Sequence, residues 1–178
     1  MAHRCPPWLC FTFDNRFRRR FHDPVKLFSP YIREGAAVLD IGPGKGFFSI
    51  PLARMVGASG RVFAADVEPA MLRAIEKRAE KAGVGGRVTS LLVRPGALEY
   101  PAADFVLLFW VLHEMAGQED VLREIRAKLR PGGHVFIAEP RLHVGERAFE
   151  ESVKRCEAAG FADEARPSVA LSRAVVLR

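Results

Sequence analysis

The sequence predicts an α/β fold, a mostly parallel sheet with helices on both of its faces. Three observations predict it. Short apolar runs recur along the chain with the pattern of strands buried on both sides. Between them lie stretches whose apolar residues fall at helical spacing. Gly and Pro punctuate most of the changeovers. Regular strand–helix alternation implies parallel strands, because parallel neighbours need a crossover connection and a helix supplies it. The length of 178 residues suits one domain with one large core.

The elements follow in order. Residues 1–34 read as an irregular N-terminal arm rich in Pro, Arg and Phe, and residues 35–178 as the main domain. Phe17, Phe21, Leu27 and Phe28 are expected to pack short helices of this arm onto the body. The run 36–41 (AAVLDI) is the first strand, and 42–46 is a tight turn. Residues 47–56 read as a helix with Pro51 near its first turns, closed by Gly57 and Gly60. The second strand, 61–65, ends at Asp66, and Pro69 then suits the first position of a helix. Met71, Leu72, Ile75, Ala79 and Ala82 form its apolar stripe, and Gly83 stops it. Residues 88–93 make the third strand and 104–111 the fourth, the most apolar in the chain. Val121, Leu122, Ile125 and Leu129 mark the next helix, stopped by Arg130-Pro131-Gly132-Gly133. A fifth strand at 134–138, a helix at 145–159 and two short strands near 161–166 and 169–177 complete the chain.

Composition narrows the function. Apolar residues make up 49% and charged residues 27%, an ordinary globular balance. No apolar run approaches the ~20 residues a membrane-spanning helix needs. The first residues lack a continuous apolar core of signal-peptide length, so a cytoplasmic protein is expected. Three cysteines make no disulfide framework, and Cys5 and Cys10 match no common zinc spacing. Cys156 shares a helical face with Phe149 and Val153, the place of a core residue. No metal site is expected. Of the net charge of +6, residues 1–35 carry +4, centred on Arg16, Arg18, Arg19 and Arg20. Such a patch can attract nucleic acid, anionic lipid or an acidic partner, or serve simply as a solvated face.

In an open parallel sheet, ligands bind beyond the carboxyl ends of the strands, near the point where strand order reverses. The first strand ends there in Asp40-Ile41-Gly42-Pro43-Gly44-Lys45-Gly46. Glycines let the backbone turn sharply and let a ligand approach without meeting a Cβ. The turn follows a strand and opens a helix, and Asp66 stands at the end of the next strand. A carboxylate in that place can accept hydrogen bonds from both hydroxyls of a ribose. The dinucleotide pattern is GxGxxG, aimed at a pyrophosphate. This turn is GxGxG, with Phe at position 47 and an acid two residues before the first glycine. Negative charge beside the turn suits the ammonium of a methionine moiety better than a pyrophosphate, which favours S-adenosylmethionine over a nicotinamide cofactor.

The stretches VLDIGPGKG, FAADVEPAML, DFVLLFWVLHE and LREIRAKLRPGGHVFIAEP run in order through residues 36–140. They resemble the successive motifs of class I S-adenosylmethionine-dependent methyltransferases. The nearest resemblance is to the "type 11" group, which includes ubiquinone/menaquinone-biosynthesis and arsenite methyltransferases. The resemblance implies a Rossmann-like sheet of seven strands with an antiparallel strand near the C-terminus. It also implies that Asp40, Gly42, Pro43, Gly44 and Gly46 line the methionine and ribose part of the cofactor. Asp66 would bind the ribose hydroxyls and Val67 would flank the adenine. The family's usual Gly-Asp-Ala after the third strand is Arg94-Pro95-Gly96-Ala97 here, so backbone groups near Gly96 and Ala97, or packing alone, would hold the adenine. Trp110 is a further candidate for the cofactor pocket wall.

The acceptor side is expected where strands four and five end. The first candidates are His113, a general base by its ordinary pKa, and Glu114, which would orient it. Glu139, His143 and Arg141 follow at the end of strand five. The link from Pro140 to Val144 is short and leaves no room for an inserted lid, so the N-terminal arm is expected to cover the site. The leading reading is methyl transfer to a small molecule. Two others stand beside it: an RNA or protein methyltransferase recruited by residues 16–20, and a non-catalytic scaffold of the same fold. A homodimer is open on the same footing.

Overall fold

In the computed structural model, residues 18–93 and 100–178 are described. Two short helices come first, α1 (Arg18–Phe21) and α2 (Pro24–Phe28). Asp23 caps α2, its carboxylate accepting from the Val25 and Lys26 backbone amides, and Pro24 takes the first helical position. Strand β1 (Ala37–Ile41) leads through the glycine turn into α3 (Ser49–Met55), then β2 (Arg61–Asp66) and α4 (Pro69–Lys81). A 3-10 turn at Gly85–Arg87 leads into β3 (Val88–Leu92). Strand β4 (Ala103–Phe109), a second 3-10 turn at Leu112–Glu114 and α5 (Gln118–Lys128) follow. Then come β5 (Leu129–Pro140), α6 (Glu146–Ala158), β6 (Asp163–Ala165) and β7 (Ser172–Leu177).

The seven strands form one sheet in the order β3-β2-β1-β4-β5-β7-β6. The pairs from β3 to β5 are parallel, and β7 runs antiparallel to both β5 and β6. The expected Rossmann-like sheet with an antiparallel C-terminal strand is therefore present. Strand order reverses between β1 and β4, so a crevice opens beyond Ile41 and Phe109.

Alternation along the strands sends side chains to two cores. Val38, Phe105, Leu107, Phe109 and Phe136 face one, with Phe28 of α2 and Leu52 and Ala53 of α3. Leu39, Val106, Leu108, Val135 and Ile137 face the other, closed by Leu122 and Ile125 of α5 and by Phe149, Val153 and Cys156 of α6. Cys156 is fully buried, as its helical face predicts, and burial pushes its thiol pKa up to about 12.

Two strand boundaries and one side chain depart from the sequence expectation in ways that bear on the fold. Strand β4 stops at Phe109 because Trp110 adopts a left-handed φ of 64°, which turns the chain out of the sheet. Strand β5 begins before the Arg130-Pro131-Gly132-Gly133 signal. Its register against β4 jumps from Ala103–Leu129 to Phe105–His134, so those four residues bulge outward, with Gly132 at φ 74°. At the N-terminus, Phe28 is fully buried, whereas Phe21 stays 48% exposed.

Candidate cofactor and acceptor site

The glycine turn rests on its surroundings. Asp40, near the carboxyl end of β1, is buried, and its carboxylate accepts a 2.6 Å hydrogen bond from the Ser49 hydroxyl of α3. The acid thus ties the strand before the turn to the helix after it. Gly42, Gly44 and Gly46 all have left-handed φ. They serve different purposes. A Cβ on Gly42 would lie 2.4 Å from Val111 Cγ2, so this glycine makes room for the chain leaving β4. A Cβ on Gly46 would press on Ile75 of α4 at 3.2 Å. Arg78 of α4 donates from Nη1 to the Lys45 carbonyl at 2.7 Å and holds the turn from the side. Only around Gly44 is there nothing within 4 Å of an added Cβ. Open space over a left-handed glycine is what a ligand lying on the backbone requires.

Asp66 ends β2 beside this turn. Burial raises its carboxyl pKa, while backbone amides of Glu68, Val67 and Gly44 pull the other way. The Glu68 amide donates to Oδ1 at 2.9 Å. An acceptor-only group withdrawn from water, linked to the Gly44 amide, fits a pair of ligand hydroxyls. Val67 is 46% exposed next to it, an apolar surface at the same end of the sheet. These residues fit the adenosyl and methionine parts of S-adenosylmethionine. Pro43 sits within the turn and its carbonyl accepts from the Gly46 amide. Gly96 and Ala97 lie outside the described residues.

The acceptor candidates sort themselves geometrically. Glu139, near the end of β5, is 1% exposed and grips His113 twice. One carboxylate oxygen accepts the His113 backbone amide at 3.1 Å, and the other accepts Nδ1–H at 2.5 Å. This fixes the tautomer and leaves Nε2 as the free acceptor of the neutral ring. The hydrogen bond to Glu139 raises the His113 pKa; partial burial opposes it, and the charges of Glu139 and Glu114 add to the rise. Glu114 stands 3.9 Å from Nε2, too far for a hydrogen bond. The exposed His143 ring lies edge-on to His113, with centroids 6.2 Å apart. Arg141 is turned aside, donating from Nε to the Ser172 carbonyl. Among the described residues, no group of three or more His, Cys, Asp or Glu side chains is placed to hold a metal ion.

The Trp110 indole is tied to Ser172 and His22. Nε1 donates to the Ser172 hydroxyl at 2.8 Å, and the ring meets His22 edge-on at 5.4 Å. Ser49, Val111, His22 and Ser172 are residues the sequence reading missed. Their partners lie 9 to 148 positions away in the chain, and no local spacing marks them.

Comparison with known proteins bears on the family and the fold. A profile described as a methyltransferase domain matches residues 38–133. The ubiquinone/menaquinone biosynthesis C-methyltransferase UbiE of Pasteurella multocida (strain Pm70) is 33% identical over 110 residues, 61% of this chain and 41% of that one. The same-named protein of Hydrogenovibrio crunogenus is 34% identical over 110 residues, 61% of this chain and 43% of that one. The match therefore spans less than half the length of these relatives. A SAM-dependent methyltransferase from Aquifex aeolicus superposes with a TM-score of 0.86 at 24% identity, covering 98% of both chains. Aeropyrum pernix fibrillarin, solved with natively bound S-adenosyl-L-methionine, gives a TM-score of 0.65 at 15% identity over 83% of this chain and 68% of that one. These two likenesses are of fold.

Proposed function

The chain belongs to the family of S-adenosylmethionine-dependent methyltransferases, and on that premise we propose that it methylates a small hydroxylated, ring-bearing molecule. When bound, S-adenosylmethionine supplies a methyl carbon activated by its sulfonium. The glycine turn around Gly44 would hold its methionine part, and Asp66 would take its ribose hydroxyls. Glu139 holds His113 with Nε2 free. His113 then accepts the proton of the acceptor's hydroxyl.

The observation that carries the acceptor class is the double grip of buried Glu139 on His113. A soft thiolate needs no such base; a neutral hydroxyl does. Ionising a ring hydroxyl makes both the oxygen and the adjacent ring carbon nucleophilic. One base therefore serves either O- or C-methylation, and the relatives' names speak of C-methylation in quinone biosynthesis.

The test is a screen with methyl-labelled S-adenosylmethionine over quinols, phenols, thiols, arsenite, RNA and protein. Quinols or phenols are expected to be labelled by the native protein. His113→Gln is expected to lose about 10²-fold or more in turnover while still binding S-adenosylmethionine by calorimetry. Labelling confined to thiols, arsenite, RNA or protein would overturn the proposal, as would full turnover in the variant.

A further inference from the structure

Among the described residues, only Trp110 and Leu171 are non-glycine residues with left-handed φ, at 64° and 58°. Such backbone is unfavourable for residues with a Cβ and persists only where its surroundings over-determine it. The two lie within one cluster. The Trp110 amide donates to the Ala138 carbonyl at 2.8 Å, and its indole donates to Ser172 Oγ at 2.8 Å. The Ser172 hydroxyl donates to the Ala170 carbonyl at 3.2 Å. That carbonyl also accepts from His22 Nε2 at 2.7 Å, which places the ring proton on Nε2. The His22 ring meets Phe109 and Trp110 edge-on, with centroids at 5.1 and 5.4 Å. The Leu171 carbonyl accepts from the Arg141 amide at 2.9 Å. His22 and Ser172 are each 1% exposed.

The consequence lies in the three residues after Trp110. Its reversed φ carries the chain out of β4, so that Val111 lands on Gly42 and Leu112 is buried. The His113 amide then returns to Glu139. The cofactor turn and the histidine share one hinge. We propose that His22 and Ser172 are positioning residues, which clasp Trp110 and so set Val111 against the glycine turn and His113 against Glu139. The clasp makes the segment bearing His22 part of the site's alignment without touching a substrate. The proposal rests on the reading of this turn as catalytic.

The readouts that decide the clasp need no acceptor. In a Trp8→Phe background Trp110 is the sole tryptophan, so its emission reports the clasp. The His113 Cε1–H resonance, assigned by its loss in His113→Gln, reports the grip of Glu139. Ser172→Ala removes the indole's acceptor with little change in volume. It is expected to shift the indole emission, to move the His113 titration midpoint down toward the ordinary value, and to weaken S-adenosylmethionine several-fold by calorimetry. His22→Phe keeps the ring and loses the donor, and should follow Ser172→Ala. His22→Gln keeps a donor and should recover most of the native His113 midpoint. If His22→Phe fails to fold, Ser172→Ala decides. Native emission and a native His113 midpoint in Ser172→Ala overturn the proposal. A shifted midpoint together with full turnover in His113→Gln supports the clasp and sinks the base assignment instead.

Discussion

At the scale of single residues, the proposed chemistry would turn on one histidine and the carboxylate behind it. Hydrogen bonding to Glu139 raises the His113 pKa, against the opposing effect of burial. A base must be neutral to accept a proton, so turnover should rise with pH through a midpoint above the ordinary ~6.5 of histidine. Glu139→Gln removes the charge but keeps a carbonyl acceptor for Nδ1–H. Its acid limb should fall back toward about 6.5, with a lower plateau, in a kcat/KM profile against pH. An acid limb unmoved from native would show that Glu139 does not set this histidine's proton affinity. Stability should follow the same linkage. A histidine pKa raised in the folded state stabilises the fold fully below its unfolded value. That contribution disappears as pH rises through the folded midpoint. The difference in urea midpoint between native protein and His113→Gln should therefore be larger near pH ~6 than near pH ~9. Both residues were legible in the sequence as candidates, because strand ends in a parallel sheet face the crevice. Their pairing was not, since residues 26 apart meet only through the register of β4 against β5.

At the scale of elements, the glycine turn would divide its work between packing and the proposed binding, and substitutions should separate the two. Gly42→Ala meets Val111 at 2.4 Å in left-handed backbone, so it should destabilise the fold by about 1–3 kcal/mol from overpacking. The double variant Gly42→Ala with Val111→Ala should recover part of that loss, leaving the backbone strain. Gly44→Ala meets no neighbour, so its cost to the fold should be only about 1–2 kcal/mol from its φ of 56°. Its larger effect should fall on S-adenosylmethionine affinity, because the new methyl occupies the ligand's side of the turn. Urea denaturation and calorimetry measure the two effects separately. Equal losses of affinity per unit of stability in both variants would contradict this division. The motif was legible because tight turns limit residue choice. The division of labour was not, because it depends on Val111, which the apolar run 104–111 assigns to the strand. The strand breaks at Trp110 instead, held by contacts with His22 and Ser172 that a local pattern does not encode. The Arg130–Gly133 signal likewise predicts a turn, and a turn is there, as a bulge inside β5.

At the scale of the molecule, the alternation of strands and helices was legible from periodicity, and the seven strands and the antiparallel end appear as expected. The N-terminal segment is where whole-molecule packing adds what periodicity lacks. Its apolar residues have no helical repeat long enough to show which of them turn inward. Phe28 turns inward completely, meeting Phe48 at 5.2 Å, Phe136 at 5.1 Å and Phe105 at 5.8 Å between ring centroids. Ile32 joins the same core, so α2 closes one face of the sheet beside α3. Phe21, one short helix earlier, stays 48% exposed. Phe28→Ala should therefore cost about 3–5 kcal/mol, the loss of a buried aromatic plus its cavity. A chain of this size should then melt on the order of 10 °C lower. Phe21→Ala should cost clearly less, about 1 kcal/mol or below. Thermal melts of the two variants beside the native protein decide the matter. If Phe28→Ala melts like the native chain, α2 is an appendage that the sheet does not need. If it melts early, a truncation meant to probe cover of the site must stop before His22, because a deeper cut removes first the contacts on Trp110 and then core.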